Sequence, residues 1–249
     1  MPEAAGPDAA VETTLLGGRL RLLQPQTGHR AGSDAMLLQA LIGEASGLLA
    51  DIGAGCGAAG LAVALRNPAL RLLLVEREPV LAGLAVRNGA LNALAERTQV
   101  AQADVLNAKA RAAAGIAANS ADVLITNPPY LEAAQTRTSP DPLRASAHPF
   151  DQPDGLERWL RACASILKPS GTFAMIHRAD ALKSVLEACE GRFGALEIRP
   201  VHSYADAPAI RILVRARKGS RAPLQLLPAL VVHGPDGAFT DEAAELHGV

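Results

Sequence analysis

Two short stretches combine residue types that can do chemistry. The first, DIGAGCGAAG (51–60), sets the carboxylate of Asp51 ahead of Gly53, Gly55, Gly57 and Gly60. Glycines at this spacing let a bulky ligand approach the backbone and the first N–H groups of a following helix, which side chains would block. Two registers fit. Gly55, Gly57 and Gly60 spell G-x-G-x-x-G with Glu76 about 20 residues on, as dinucleotide (NAD) binding requires. From Gly53 the same run is D-x-G-x-G-x-G, the acid-headed loop of S-adenosylmethionine enzymes. Asp51 weighs toward the second reading, because a strand-end carboxylate repels a pyrophosphate but binds the ammonium of a methionine moiety directly or through water.

The second stretch is Asn127-Pro128-Pro129-Tyr130. The prolines restrict the backbone and donate no hydrogen bond, so the Pro128 carbonyl and the Asn127 side-chain carbonyl are left as two acceptors. Beside the face of Tyr130 they make a receptor for a planar NH2 group. The amine hydrogens are held, the nitrogen lone pair is pushed out of conjugation, and it can attack a sulfonium methyl group in line. No strong base is needed, since the nitrogen's proton becomes acidic once the nitrogen is quaternised. These four residues form the candidate catalytic set, and Asn127 also borders the cofactor. A proline-rich turn with a structural tyrosine is the bland alternative.

Between the two stretches lie further acids. Glu76 is placed to accept from ribose hydroxyls, whereas Glu78 reads as a solvated loop acid. Asp104 can accept from the exocyclic amine of adenine, with the Val105 N–H donating to a ring nitrogen; a helix cap is the alternative for Asp104. Asp51, Glu76, Asp104 and Asn127 are separated by 25, 28 and 23 positions, each step one strand plus one crossover helix. That period sets all four at the carboxyl edge of neighbouring parallel strands, where open α/β sheets bind ligands.

The elements that must hold them are legible as aliphatic runs. LLADIG (48–53), RLLLVE (71–76), TQVAQAD (98–104), ADVLITN (121–127) and GTFAMIH (171–177) read as parallel strands buried on both faces. ALEIRPVH (195–202) and AIRILVRARK (209–218) leave no room for a helix between them and must pair antiparallel. Before the first of these strands, Gly17-Gly18 signals a hairpin, followed by a helix capped by Ser33 or Asp34; a terminal helix starts near Thr240. The expected class is α/β: a mostly parallel seven-stranded sheet, helices on both faces, closed by an antiparallel C-terminal hairpin. Residues 1–14 read as a flexible tail, 15–220 as the main domain with its N-terminal hairpin, and 221–249 as an appendage on the same domain.

Composition excludes several classes. With 49% hydrophobic residues in 249, the chain collapses into a globular domain rather than staying disordered. Seven aromatics argue against a long base-stacking groove, and a net charge of −1 provides no global field for a polyanion. Cys56, Cys163 and Cys189 show neither a zinc spacing nor a disulfide framework, which suits a reducing cytoplasm, and no metal site is expected. MPEAAGPDAA has no basic or apolar region of a signal peptide. The apolar run Leu48–Leu65 would bury Asp51 unpaired in a bilayer, so no membrane span is expected.

Together these motifs resemble a known family, the small-domain methyltransferases that include the bacterial tRNA(Val) adenine N6-methyltransferase. The resemblance runs from about Leu15 to the C-terminus. It rests on LLGGRLRLLQPQTGHRAGSDAMLL, DIGAGCGAAG, VEREP with Asn88 and Asn92, QAD, NPPY, RASAHPF with WLRACASILKPSG, APAIRILVRARKGS and DGAFTDEA. It implies a class I (Rossmann-like) fold and S-adenosylmethionine as cofactor. Asp51, Gly53, Gly55, Glu76 and Asp104 would bind the cofactor, Asn127, Pro128 and Tyr130 the amine, and Ser33 and Asp34 would lie near the methionine moiety. The implied target is adenine N6 in RNA, most of all tRNA.

Arg211, Arg215, Arg217, Lys218 and Arg221 are the candidate phosphate patch, against the alternative of a solvated strand edge; Arg19, Arg21, His29 and Arg30 form a weaker cluster. The polar segment 131–155, with Arg137, Arg144 and His148, reads as a substrate lid, and His177, His202 and His233 as structural or surface groups. No obligate protein partner is evident. The rivals are a protein glutamine N5-methyltransferase, which also uses NPPY, a DNA adenine methyltransferase, an NAD oxidoreductase, and a non-catalytic binding fold.

Overall fold

The computed structural model describes residues 10–26, 31–129 and 154–249. A hairpin, β1 (Ala10–Leu15) and β2 (Leu20–Pro25), is followed by α1 (Ser33–Ala40). Strand and helix then alternate through β3 (Gly47–Ile52), α2 (Ala58–Arg66), β4 (Leu70–Glu76), α3 (Pro79–Leu91), β5 (Thr98–Gln102), α4 (Ala108–Ala113) and β6 (Ala121–Thr126). From residue 154 onward come α5 (Gly155–Ile166), β7 (Leu167–Arg178), α6 (Leu182–Cys189), β8 (Phe193–His202) and β9 (Ala209–Lys218). The two-residue strands β10 (Gln225–Leu226) and β11 (Leu230–Val231) and the helix α7 (Asp241–His247) end the chain.

The seven long strands of the main sheet lie in the order β5-β4-β3-β6-β7-β9-β8, and β10 and β11 add parallel to β8. Strands β3 to β7 are parallel, and β9 runs antiparallel between β7 and β8. The aliphatic runs are continuous because both faces are covered. Ala50, Ile52, Leu73, Val75 and Leu124 face a cluster with α5 and α6, while Leu49, Leu72, Leu74, Val123 and Ile125 alternate onto the other face with α1 and α2. Strand order reverses at β3, whose neighbours are β4 and β6, so the carboxyl end of β3 opens a crevice.

Two asparagines tie the N-terminal hairpin to this frame. Asn88 is fully buried; its side chain accepts from Leu23 N at 2.7 Å and donates to Leu23 O at 3.0 Å and Cys56 O at 2.9 Å. Asn92 makes the same reciprocal pair with Arg21 N (3.0 Å) and O (2.7 Å). Each amide replaces a missing strand partner of β2. Within the stretch 1–14 expected as a flexible tail, Ala10–Thr14 belong instead to β1, with Ala10 opposite Pro25, and residues 1–9 lie outside the described residues. The expected cap at Ser33 or Asp34 is also corrected. Gly32 is the N-cap of α1, without a side-chain hydrogen bond, because the Asp34 carboxylate is engaged elsewhere. Thr240 does cap α7, its hydroxyl accepting from Ala243 N at 3.3 Å.

Candidate active site

Asp51 sits one residue before the end of β3 with its side chain turned toward α2, and it is 2% exposed. Its Oδ2 accepts from Gly60 N at 2.9 Å. A Cβ at Gly60 would stand 3.0 Å from that oxygen and 2.8 Å from Leu74 Cδ2, so only glycine allows the helix backbone to reach the carboxylate. Burial pushes the Asp51 carboxyl from 3.8 up to about 7; the Gly60 N–H opposes this and the negative charge of Glu76 adds to it. Gly53 follows with φ +73, in the left-handed region, and a Cβ there would press on the Trp159 ring at 3.1 Å.

A pocket of about 270 Å³ opens over this loop. Its walls are Ala31, Gly32, Ser33, Asp34, Ala35 and Leu38 from the α1 region, Asp51, Gly53, Ala54, Gly55, Cys56, Ala58 and Ala59 from the loop and α2, with Leu81, Asn127 and Arg211. Burial raises the Cys56 thiol to about 11, so it is a neutral wall group and not a nucleophile.

Glu76 ends β4, and its carboxylate holds the loop. Oε2 accepts from Gly55 N at 2.8 Å, and Oε1 accepts from Arg77 N at 2.8 Å and Glu78 N at 2.9 Å. Asp104 lies two residues beyond β5, half-buried, with Oδ1 accepting from Leu106 N at 2.9 Å. That contact closes a turn, and Asn107 caps α4 by accepting from Lys109 N and Ala110 N. The Val105 side chain is buried and its carbonyl accepts from Arg111. Glu76, Asp104 and Val105 share the carboxyl edge with the pocket but are not among its walls.

Asn127 follows β6 immediately and lines the pocket, and its Oδ1 is buried without a hydrogen-bond partner. A buried carbonyl oxygen in that condition is costly unless a ligand donates to it. Pro128 is buried and Pro129 exposed; Tyr130 lies outside the described residues. Beneath Asn127 is a relay the sequence did not single out. Trp159 Nε1 donates to Thr126 Oγ1 at 3.0 Å, and that hydroxyl donates to Ile52 O at 2.8 Å, so the floor under Gly53 is tied to the start of the Asn-Pro-Pro segment. A buried Trp next to a strand-ending Thr gives no motif signal; the only hint is the small residue at Gly53 that leaves room for the ring.

The basic run does not form one patch. Arg211 pairs with Arg178 at the carboxyl edge, Arg217 lies opposite Thr172, and Lys218 donates to Leu167 O and Asn119 Oδ1 at the other edge. Six or seven residues of extended chain separate these charges by roughly 20 Å. Arg215 is ion-paired with Glu197, Arg217 donates to Ser170 O, and Arg221 is exposed. Arg211 turns to the pocket instead, with Nε 3.1 and 3.2 Å from the two Asp34 oxygens. Arg21 pairs with Glu12 and Arg19 donates to Leu16 O, while His29, Arg30 and the lid candidates Arg137, Arg144 and His148 lie outside the described residues. His177 is buried at the end of β7, where desolvation lowers its pKa; His202 Nδ1 is 2.6 Å from Ala207 O, and His233 stacks on Phe239. Among the described residues no cluster of His, Cys, Asp or Glu could hold a metal, and no helix is long and apolar enough to cross a membrane.

A glycine-floored pocket at the switch point, a buried acid beneath it and an unsatisfied amide oxygen beside it suit an adenosyl amino acid with a methionine end. Strand order with an antiparallel closing pair, together with this loop, defines a Rossmann-like methyltransferase. A family model described as "Methyltransferase small domain" matches residues 31–141. A predicted O-methyltransferase of Agrobacterium tumefaciens, solved by crystallography, is 35% identical with TM-score 0.72, covering 86% of this chain and 95% of that one. The tRNA1(Val) (adenine(37)-N6)-methyltransferase of Porphyromonas gingivalis is 28% identical over 89% of each chain. A release factor glutamine methyltransferase of Chlorobaculum tepidum is 26% identical over 63% of this chain and 54% of its own. The chain belongs to the small-domain methyltransferase family. It is an S-adenosylmethionine-dependent enzyme, and solved structures of the same fold hold AdoMet.

Proposed function

We propose that this enzyme methylates the N6 amine of adenine in RNA, with tRNA as substrate, in the cytoplasm. The observation that carries the reading is the Asn127 amide oxygen, buried and unpartnered on the wall of the cofactor pocket. An oxygen so placed is satisfied by an NH2 donor, and two prolines follow it, as a planar amine requires. The Agrobacterium structure is named a predicted O-methyltransferase, and an oxygen acceptor has at most one hydrogen to offer to two carbonyls.

Once bound, S-adenosylmethionine supplies a methyl group activated by a sulfonium. The loop Gly53–Gly55 seats its adenosyl chain, Asp51 receives the ammonium, and Ser33 and Asp34 border the methionine moiety. The Glu76 carboxylate keeps the loop in shape and has lone pairs left for ribose hydroxyls; Asp104 and Val105 face the adenine. Asn127 and the Pro128 carbonyl hold the acceptor amine, Pro129 stiffens the turn, and Tyr130 supplies the stacking face. Held this way the nitrogen lone pair points at the pocket, and its proton leaves to solvent after transfer. RNA contact falls to cations at the carboxyl edge, such as Arg77 and Arg178, whose exposed partners Glu78 and Asp180 a phosphate would replace, rather than to the strand β9 as a whole.

The glutamine reading keeps the same receptor with an amide in place of the base, and the Chlorobaculum relative favours it over less of the chain. Labelled S-adenosylmethionine incubated with unmodified tRNA, rRNA and protein fractions separates the two. Label in tRNA as N6-methyladenine, abolished by Asn127→Ala, is the expected result. Label in protein alone, or label indifferent to the substitution, overturns the RNA proposal.

A further inference from the structure

The geometry points to Arg211 as the residue that binds the α-carboxylate of the cofactor's methionine, with Asp34 holding the guanidinium in place until the cofactor arrives. This rests on S-adenosylmethionine occupying the pocket over Gly53. The methionine end of that molecule is a zwitterion, and a site that buries it needs one group of each sign. Asp51 serves the ammonium. Among the described residues lining the pocket, Arg211 is the one cationic side chain. It comes from β9, three strands away from β3 in the sheet, and its guanidinium reaches the pocket wall beside Asp34 of α1.

Two further observations agree. Arg211 is anchored where it stands: Nε meets both Asp34 oxygens at 3.1 and 3.2 Å, Nη1 donates to Ile210 O at 3.1 Å, and both charged side chains are about one quarter exposed. A planar fork of five donors can serve one carboxylate along one edge and a second along another, which a lysine cannot do. The first turn of α1, which carries Asp34, also walls the pocket, and its cap Gly32 offers no side chain to the helix N–H groups. The two ends of the pocket therefore differ in chemistry, with a lone carboxyl, Asp51, under the loop and the Arg211–Asp34 ion pair beside α1, where the guanidinium is the only cationic group among the described lining residues. The run of charges in 209–218 thus contains one residue with a job unlike the others, set apart by its place at the carboxyl edge.

The test is calorimetric binding of S-adenosylmethionine and of its decarboxylated analogue, which keeps the ammonium, sulfonium and adenosine. The wild-type chain is expected to prefer the carboxylated ligand by about tenfold or more, as for a charge-assisted hydrogen bond. In Arg211→Met the preference is expected to fall below about twofold, through weaker binding of S-adenosylmethionine with the analogue unchanged. Asp34→Asn, which leaves the cation, is expected to retain the preference. Arg211→Gln serves if the methionine variant melts early. A preference that survives both Arg211 substitutions overturns the assignment. Failure of the wild-type chain to bind either ligand overturns the cofactor assignment beneath it, a different and recognisable result.

Discussion

Asp51 offers a measurement in which one buried proton reports on the whole site. Its carboxyl is raised from 3.8 to about 7, mainly by burial, so near neutrality it is half protonated before any ligand binds. Binding an ammonium requires the charged form. Below pH 7 affinity for S-adenosylmethionine should therefore fall, by about 50-fold between pH 7 and pH 5, with proton release on binding rising from about one half at pH 7 to about one at pH 5. The effect on stability has the opposite sign. A carboxyl with a raised folded pKa stabilises the fold most below its unfolded value, and that contribution is lost as pH rises to about 7. At about 1.36 kcal/mol per pH unit this is about 4 kcal/mol between pH 4 and pH 7. Asp51→Asn keeps the volume and the acceptor for Gly60 N. It should flatten both profiles, binding weakly at all pH and melting higher than wild type at pH 8. Calorimetry in two buffers of different ionisation enthalpy, with denaturant melts from pH 4.5 to 8, measures both, and the cofactor's own amine titrates equally in the two proteins. Equal pH slopes for wild type and Asp51→Asn would refute the reasoning.

Other substitutions test the frame. Gly60→Ala gains helix propensity of up to about 1 kcal/mol but forces a methyl to within 3.0 Å of Asp51 Oδ2 and 2.8 Å of Leu74 Cδ2, so thermal melts should show a net loss of about 1–2 kcal/mol and weaker cofactor binding. Asn88→Ala strands the Leu23 and Cys56 backbone groups that the amide now satisfies; a loss of about 2–4 kcal/mol is expected, with hydrogen exchange rising first over Leu20–Pro25. Trp159→Phe keeps the packing under Gly53 and deletes the donor to Thr126. It should cost about 1 kcal/mol in a denaturant melt and weaken cofactor binding less than Asp51→Asn does.

What was legible in the chain divides along a physical line. Strand positions were readable to within a few residues because parallel strands with both faces covered leave an unbroken aliphatic run, and LLADIG or ADVLITN has no other stable placement. Fold class followed from the aliphatic runs and the closing hairpin; the loop alone fits two registers, and Asp51 with the family resemblance decides for S-adenosylmethionine. Side-chain partnerships were not readable, because they depend on which element lies across the sheet. Arg211 sits in a run of like charges, yet its neighbour in space is Asp34, 177 positions earlier. Ser33 and Asp34 have the right chemistry for an N-cap, but a carboxylate already paired with a guanidinium has no reason to bend back to its own helix, and Gly32 takes the place.

The same distinction explains Asp104 and Asn127. Both lie just beyond a strand and both carry a short polar side chain, so either could close its own turn. Asp104 does, through Leu106 N, and Asn107 then starts α4. Asn127 does not, because Pro128 and Pro129 have no N–H to offer it. Its Oδ1 is left on the pocket wall without a hydrogen-bond partner, and the two prolines directly after it explain why its own turn supplies none.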